Sequence, residues 1–458
     1  MRISSLWFAV ASAGVPTAPQ LEYQQHEIMA LVHFNMATFA KNGDPGCSAD
    51  NWDTKQAYAA GKTNDPATFS PAKLDTDQWA QSMMDVGAKH AVLTAKHGCG
   101  FALWPSKVKL PSGDTYGYSV GSPGALGRDV LQEFSGSMEK AGIGHGFYYS
   151  LTNNFYLNVH VHSVQPGPTL PGQVKVSQDQ FEQIALAQVS ELWTNYGNLT
   201  EIWFDGGYTS DMKQKITALL AARQPNAAAF GGFGVSHNPV CWVGTESGNP
   251  GGDIWSSGAS DGTGDPLSSD FCPKGCDTTL QEGDVWFFEE GNAIRSLKEL
   301  IDVYHATVGR NGVLELDFAI NRDGLVDPAH AARYKDLGDW VKSCYGTPVA
   351  TAHGSGKAPV VTTLASASIV DRVMIQEEFS AGHRIKSFTV EYQASPQGAW
   401  QPFGAGGAVG NKRILVGDAP VSAVALRVLV TGTIGADAAT ISNFSVFKPC
   451  IDSGTVLV

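Results

Sequence analysis

Two carboxylates beside glycine-rich turns are the residues of this sequence best suited to catalysis. Asp205 ends the apolar run "EIWFD" and precedes two glycines, and Glu246 lies in the glycine-flanked segment "WVGTESG". Two carboxylates at opposite rims of a sugar-sized pocket can cleave a glycosidic bond, because one forms a glycosyl ester while the other donates and then removes a proton. These two residues are therefore the candidate catalytic pair.

Each residue of the candidate site also has a simpler explanation. Asp205 could be the N-cap of a following helix, and Glu246 could be a solvated surface acid. His33 and His97 could be core histidines bonded to the backbone, and Lys96 could pair with a carboxylate beneath the site. Their common position at the ends of predicted strands is what favours a functional site.

Those strands are short apolar runs that alternate with amphipathic stretches. Eight runs are candidate strands, at residues 28–34, 90–96, 144–150, 201–205, 226–232, 239–244, 284–288 and 313–319. Helical patterns lie between several of them, and the clearest are at 75–87, 180–197 and 295–309. Buried strands that alternate with helices predict an α/β fold, here a (β/α)8 barrel that is irregular after the fifth and sixth runs.

The last quarter of the chain has a different pattern of predicted secondary structure. From about residue 350 the chain carries β-rich pieces separated by Gly, Ser and Pro, with no convincing helix, which predicts an all-β sandwich. The predicted organisation is a signal peptide at 1–19, a catalytic domain at 20–348 and a β-sandwich domain at 349–458.

In such a barrel, the residues at the C-terminal ends of the strands form the active-site face. The polar and aromatic residues predicted there are His33, Lys96, His97, Tyr149, Asp205, Glu246 and Trp286. The catalytic chemistry then depends on carboxylates alone, because no His/Cys cluster has metal-ligand spacing and no phosphate-binding loop is present. No cofactor and no metal are predicted.

The net charge of the chain limits the classes of partner that it is expected to bind. The 458 residues carry 44 Asp+Glu against 31 Lys+Arg, a formal net charge of -13. A field of this sign repels phosphate backbones and anionic lipids, so neither nucleic acid nor a membrane is an expected partner.

Several features indicate a secreted protein. The first residues combine a positive start, a short apolar run and the small-residue step Ala11-Ser12-Ala13, as in cleaved signal peptides. Sequons begin at Asn198 and Asn443. Seven cysteines would form disulfides in an oxidising compartment with at least one left over, and the close pair Cys272 and Cys276 is expected to be a disulfide rather than half of a zinc site.

A set of motifs resembles the family 29 α-L-fucosidases in content and order over about residues 25 to 345. They are "ALVHFNMATF", "DPATFSPAKLDTDQW", "VLTAKHGCGFALWPS", "IWFDGG", "CWVGTESG" and "VYHATVGRNGVLELDFAINRDGLV". The resemblance implies an irregular (β/α)8 barrel with a C-terminal sandwich, retaining chemistry, and Asp205 as the nucleophile.

The resemblance also assigns sugar-binding residues and shows two departures. His33 and His97 match histidines that bind fucose hydroxyls in the family. In "KHGCGF", Gly98 and Cys99 stand where the family usually has His and Asp, and Asn51 stands where many members have Glu. The aromatic residues expected to line the sugar pocket are Trp52, Trp104, Tyr149, Trp203 and Trp286.

The acid/base varies within the family. "WVGTESG" resembles the pattern of the subgroup that acts on α-1,3 and α-1,4 linked fucose, which nominates Glu246, with Glu289 and Glu290 as alternatives. The implied function is a secreted retaining α-L-fucosidase that acts on fucosylated oligosaccharides or glycoconjugates. Two other hypotheses are a fucose-binding protein with weak turnover and a retaining exo-glycosidase for another sugar.

Overall fold

The computed structural model describes residues 14–39, 65–167, 169, 172–435 and 438–450. Two predictions therefore fall on residues outside these ranges, namely Trp52 as a sugar-binding residue and the apolar start of the signal peptide. Within the described part, the chain forms a closed barrel of parallel strands followed by an antiparallel all-β domain, which confirms the predicted fold class.

The eight barrel strands pair in sequential order around the barrel. They are β1 (Ile28–His33), β2 (His90–Lys96), β3 (Gly144–Ser150), β4 (Glu201–Asp205), β5 (Ala228–Phe230), β6 (Pro239–Trp242), β7 (Lys274–Thr278) and β8 (Val313–Ala319). Nearly every residue in them is buried, as expected of parallel strands covered on both faces.

Seven α-helices accompany these strands in the described residues. They are α1 (Ala18–His26), α2 (Thr76–Val86), α3 (Val130–Ala141), α4 (Gln178–Asn195), α5 (Ser210–Arg223), α6 (Leu297–Ala306) and α7 (Pro328–Tyr345). Helix α2 is bounded as its sequence predicts: the Asp75 carboxylate caps the first turn, and Gly87 ends the helix in a left-handed conformation with φ 91°.

The barrel is irregular where the sequence predicts it. The segments 231–238 and 243–273, which connect β5 to β6 and β6 to β7, contain no helix.

The prediction of a seventh strand at 284–288 is wrong. The seventh barrel strand is β7, in "KGCDT", which pairs with β8. This strand has few apolar residues and is nevertheless buried, because its polar side chains are satisfied internally. Lys274 Nζ donates to the carbonyls of Gly258 and Ser260, and Asp277 accepts from the Trp242 indole.

Alternation along the strands separates two apolar cores. An inner cluster fills the barrel, where Trp203 stacks between Phe230 and Tyr148 at ring-centroid distances of 4.1 and 5.1 Å. An outer cluster, which includes Phe147 and Tyr149, lies between the strands and the helices. Neighbouring residues of β3 therefore face opposite layers, and this decides which tyrosine reaches the site.

The C-terminal domain has six antiparallel strands. They are β9 (Ala350–Ser355), β10 (Val360–Glu377), β11 (Ile385–Gln393), β12 (Gln401–Gly406), β13 (Arg413–Thr433) and β14 (Thr440–Phe447). The long strands β10 and β13 change register in the middle, so each contributes to both halves of the sandwich around a single apolar core. In the described residues, no helix is long and apolar enough to span a membrane.

The cysteine pairing differs from the prediction. Cys241 of β6 pairs with Cys272, while Cys276 lies within β7 as a buried free thiol. Four residues of extended chain span about 13 Å, which exceeds the usual Cα separation of a disulfide, so Cys272 reaches the adjacent strand instead. A second disulfide joins Cys344 of α7 to Cys450 at the end of the β domain.

Buried polar contacts join the β domain to the barrel. Asn411 donates from its backbone N–H to the Asn311 side chain at 2.7 Å and from its own side chain to the Gln24 carbonyl at 3.0 Å. The Arg413 guanidinium pairs with Asp253. The asparagine contacts are buried, and together with the Arg413–Asp253 pair they hold the two domains against each other.

Candidate active site

Asp205 is the last residue of β4, at the C-terminal mouth of the barrel. Its carboxylate accepts a hydrogen bond from the Tyr148 hydroxyl, and its backbone carbonyl accepts one from Thr152 Oγ1 at 2.6 Å. Gly206 follows at φ 66°, where a Cβ would lie 2.2 Å from Thr152 Oγ1. The N-cap of helix α5 is Thr209, so Asp205 is not a helix cap and its carboxylate faces the barrel mouth.

Glu246 lies above the same mouth, in the loop after β6. Its exposed carboxylate accepts from the Trp286 indole at 3.3 Å. Burial raises the pKa of the Tyr148 hydroxyl well above its usual value, and the negative charges of Asp205 and Glu246 raise it further. The Trp286 ring lies 5.0 Å from that of His33, which lies 6.3 Å from that of Tyr148, so a chain of contacts links Glu246 to Asp205.

The two alternative acids, Glu289 and Glu290, follow Trp286 and Phe287 in the chain. The Glu289 backbone N–H donates to Gln281, and Glu290 is exposed with its carboxylate 3.8 Å from Arg322. Glu246 differs from these two acids in that its carboxylate contacts Trp286, whose ring adjoins His33.

Two imidazoles and two aromatic rings form the wall around Asp205. The His33 ring centre lies 5.0 Å from that of Trp286 and 5.2 Å from that of Phe287. His97 stacks on Tyr148 at 5.4 Å and meets Phe287 edge-on at 5.0 Å. The structure thus brings together His33, His97 and Trp286, as predicted from the sequence.

The two histidines are neutral at ordinary pH. Burial lowers the pKa of His97 to about 4, against the opposing effect of the Asp205 charge. Burial also lowers the pKa of His33 well below its usual value. Neutral imidazoles among aromatic rings suit hydrogen bonds to sugar hydroxyls and stacking on a sugar face. Among the described residues, no group of three or more His, Cys, Asp or Glu could hold a metal ion.

Three predicted sugar-binding residues lie elsewhere. Tyr149 faces the helix layer, where its hydroxyl donates to Gln188 at 2.6 Å. Trp104 is buried, and its indole donates to Glu191 of α4 at 2.8 Å.

Trp203 lies beneath the site, where its indole donates to Glu315 at 3.1 Å. Its neighbour in the stack, Tyr148, covers it on the side of the barrel mouth. These corrections share one cause, because the sequence shows that a side chain is aromatic and near a strand end but does not show which layer it faces.

Four residues of this region were not predicted from the sequence. Tyr148 and Phe287 contact the site directly, while Asp277 and Asp317 are buried carboxyls at the ends of β7 and β8. Asp205 and Trp203 are two residues apart in β4 and therefore face the same side, which is the barrel interior. The residue of β3 opposite Trp203, which is Tyr148, faces the interior as well. Asp277 was hidden because its strand was interpreted as a disulfide loop.

A buried lysine, Lys96, is the last residue of β2, at the same end of the barrel as Asp205. Lys96 Nζ donates to the Asn153 carbonyl at 2.8 Å and lies over the Tyr149 ring. Burial lowers its pKa to about 7, and the Asp205 charge opposes that shift. The positive charge of Lys96, which attracts the Asp205 carboxylate, is therefore present below about pH 7 and lost as the pH rises through it.

We expect kcat/KM to fall above about pH 7 in the wild-type protein. Lys96→Met should be less active and should lack this alkaline limb. The measurement is the pH profile on an aryl glycoside, with the exposed Lys140→Met as the matched control. An unchanged limb in Lys96→Met would assign it to another group.

Comparison with known proteins gives similarity over both domains. A family model described as alpha-L-fucosidase matches residues 45–346. Alpha-L-fucosidase 1 of Arabidopsis thaliana is 26% identical over 455 residues, which cover 88% of this chain and 81% of the plant protein. A glycoside hydrolase 29 family member from an unknown rumen bacterium superposes with a TM-score of 0.77 at 25% identity, covering 97% of this chain and 79% of the other. A Ruminococcus gnavus fucosidase solved in complex with fucose has a TM-score of 0.77 at 21% identity, covering 97% of both chains, and so shows the shared fold.

Proposed function

The chain belongs to the alpha-L-fucosidase family of glycoside hydrolases, and we propose that Asp205 and Glu246 are its two catalytic carboxylates. The substrate is a fucosylated oligosaccharide or glycan. The observation that carries these roles is the chain of contacts that runs from Asp205 through Tyr148, His33 and Trp286 to Glu246.

In the first step, Asp205 attacks the anomeric carbon of an α-linked fucose. The Tyr148 hydroxyl donates to Oδ2, which leaves Oδ1 as the attacking oxygen. A C1–Oδ1 bond forms as the glycosidic C1–O bond breaks, and Glu246 gives its proton to the departing oxygen. The product of this step is a fucosyl ester on Asp205, with the aglycone released as an alcohol.

In the second step, water replaces the carboxylate. Glu246, now ionised, removes a proton from a water molecule whose oxygen attacks C1, and the C1–Oδ1 bond breaks. Two inversions give fucose with the original α configuration. His33 and His97 hydrogen bond the sugar hydroxyls, and Trp286 lies between Glu246 and His33 at the edge of the pocket.

The test of this function is release of nitrophenol from an aryl α-L-fucoside, with the anomer first released identified by NMR. We expect turnover and α-fucose as the first product. Tight fucose binding without turnover would support the alternative of a fucose-binding protein. Turnover of another aryl glycoside in preference to the fucoside would support an exo-glycosidase for another sugar.

The linkage preference follows from the loop that carries Glu246. Because "WVGTESG" resembles the α-1,3/α-1,4 subgroup, we expect higher kcat/KM on oligosaccharides with those linkages than on α-1,2-linked ones. The comparison uses a fucosylated trisaccharide of each linkage at equal concentration. Equal or faster hydrolysis of 2'-fucosyllactose would contradict this preference.

We also propose that the protein is secreted and that its signal peptide is removed after Ala13 rather than after residue 19. Thr17 caps helix α1, and Gln20 completes the capping box while its amide donates to the Pro239 and Phe271 carbonyls at 2.8 and 3.0 Å. Cleavage after residue 19 would remove the cap. The two disulfides of the described chain are consistent with an oxidising compartment. Mass spectrometry of the exported N-terminus tests the cleavage site.

A further inference from the structure

His33 has a buried partner that the catalytic roles above do not use. Asp317 lies near the end of β8, the strand that pairs with β1, and its Oδ1 is 2.8 Å from His33 Nδ1. Both residues are buried, with exposures of 4% for His33 and 0% for Asp317. The ring nitrogen opposite Nδ1 is the one available to a sugar, because Nδ1 is already bonded.

The surroundings of Asp317 indicate a protonated carboxyl. Oδ2 is buried without any hydrogen-bond partner, and among the described residues His33 is the one basic group within 4 Å of the carboxylate. A buried carboxylate with one unsatisfied oxygen and no cation is costly, whereas a neutral carboxyl that donates a hydrogen bond to His33 Nδ1 keeps its proton and buries no charge. In agreement, burial raises the pKa of Asp317 against the opposing effect of the Phe318 backbone, and burial lowers the pKa of His33 against the opposing effect of the Leu31 backbone.

We propose that Asp317 is a positioning residue that donates a hydrogen bond to His33 Nδ1 and thereby holds His33 with an Nε2–H available to the sugar. This inference rests on the proposed function, because the group that accepts from Nε2–H is an oxygen of a fucose hydroxyl. The hydroxyl then keeps its own proton for a second partner. With the reverse tautomer, Nε2 could only accept.

Packing around His33 makes the effect of Asp317 specific. The ring is confined by Trp286, Phe287 and Tyr148 at 5.0 to 6.3 Å between centres, so its plane is largely set by packing. These rings offer no acceptor for Nδ1. The bond to Asp317 therefore selects which nitrogen carries the proton and which edge of the ring faces the sugar.

The first experiment compares Asp317→Asn, Asp317→Ala, His33→Ala and the double variant His33→Ala/Asp317→Ala on an aryl α-L-fucoside. Asp317→Ala should lower kcat/KM by about 10- to 100-fold, mainly through KM and the inhibition constant of free fucose. Asp317→Asn should stay within about threefold of the wild type, because the amide donates to Nδ1 without a charge.

The double variant separates positioning from a structural role. If Asp317 acts through His33, the double variant should be no less active than His33→Ala alone. A further loss in the double variant equal to the loss in the single Asp317→Ala variant would overturn the proposal. A large loss in Asp317→Asn would also overturn it, because it would show that the carboxyl itself is needed.

The tautomer can be measured without turnover. In ¹⁵N-histidine-labelled protein, protonated and unprotonated ring nitrogens have well-separated shifts, and His33→Ala assigns the His33 signals. We expect Nε2 to carry the proton and Nδ1 to be unprotonated. The opposite pattern would overturn the proposal. Failure of the wild type to cleave the fucoside would instead refute the proposed function, and this spectrum would still decide the state of the pair.

Discussion

Replacing Asp205 by alanine is expected to lower kcat by about 10⁴-fold or more on every substrate. Without the carboxylate no glycosyl ester can form, and the Tyr148 hydroxyl loses its acceptor. The loss should be similar for good and poor leaving groups, because covalent catalysis is removed for both. Asp211→Ala, in the first turn of α5, is the matched control and should be as active as the wild type.

Adding azide to the Asp205→Ala variant tests whether the missing carboxylate is the nucleophile. In Asp205→Ala the small anion can enter the space of the lost carboxylate and displace an activated leaving group directly. One displacement inverts the anomeric carbon, so the product should be β-fucosyl azide, which NMR distinguishes from the α anomer. Residual activity within tenfold of the wild type would show that another residue is the nucleophile.

Replacing Glu246 by alanine should make activity depend on the leaving group. An aryl fucoside with an acidic phenol needs no proton, so the fucosyl enzyme should still form, while natural oligosaccharides should lose about 10²- to 10⁴-fold. Azide needs no general base to attack the ester on Asp205. Two displacements then give α-fucosyl azide, the product opposite in configuration to that of Asp205→Ala.

Glu289→Ala and Glu290→Ala are the matched controls for this experiment. Glu289 is half-buried and Glu290 lies 3.8 Å from Arg322, and both should keep most of their activity on natural substrates. If either of them loses oligosaccharide hydrolysis and is rescued by azide with retention while Glu246→Ala remains active, the acid/base is that residue. The nucleophile and the family would be unaffected.

Most of the barrel could be predicted from the sequence because seven of its strands are apolar runs bounded by polar turns. Strand β7 was the exception, because "KGCDT" becomes a buried strand only through partners supplied by distant loops, such as the carbonyls that receive Lys274. A pattern of hydrophobicity cannot show those partners. The same misreading produced the wrong disulfide, since Cys276 was placed in a loop.

The site could be predicted at the level of strand ends and not at the level of side-chain direction. Asp205, His33 and His97 were found because each ends an apolar run. Tyr148 was missed in favour of Tyr149, because neighbouring residues of β3 face opposite layers and the apolar run alone does not show which of them points inward. Pairing with β4 decides it, because Tyr148 lies opposite the inward residue Trp203.

The disulfide between α7 and the end of the β domain makes a covalent ring of the whole C-terminal domain. Cys344 and Cys450 are 106 residues apart in the chain, and every strand from β9 to β14 lies between them. A protease that cuts a single exposed turn of this domain therefore releases nothing. The cut protein should migrate as one species on a gel without reductant and as two fragments with it. A single backbone cut in this domain therefore separates the chain only after the disulfide is reduced.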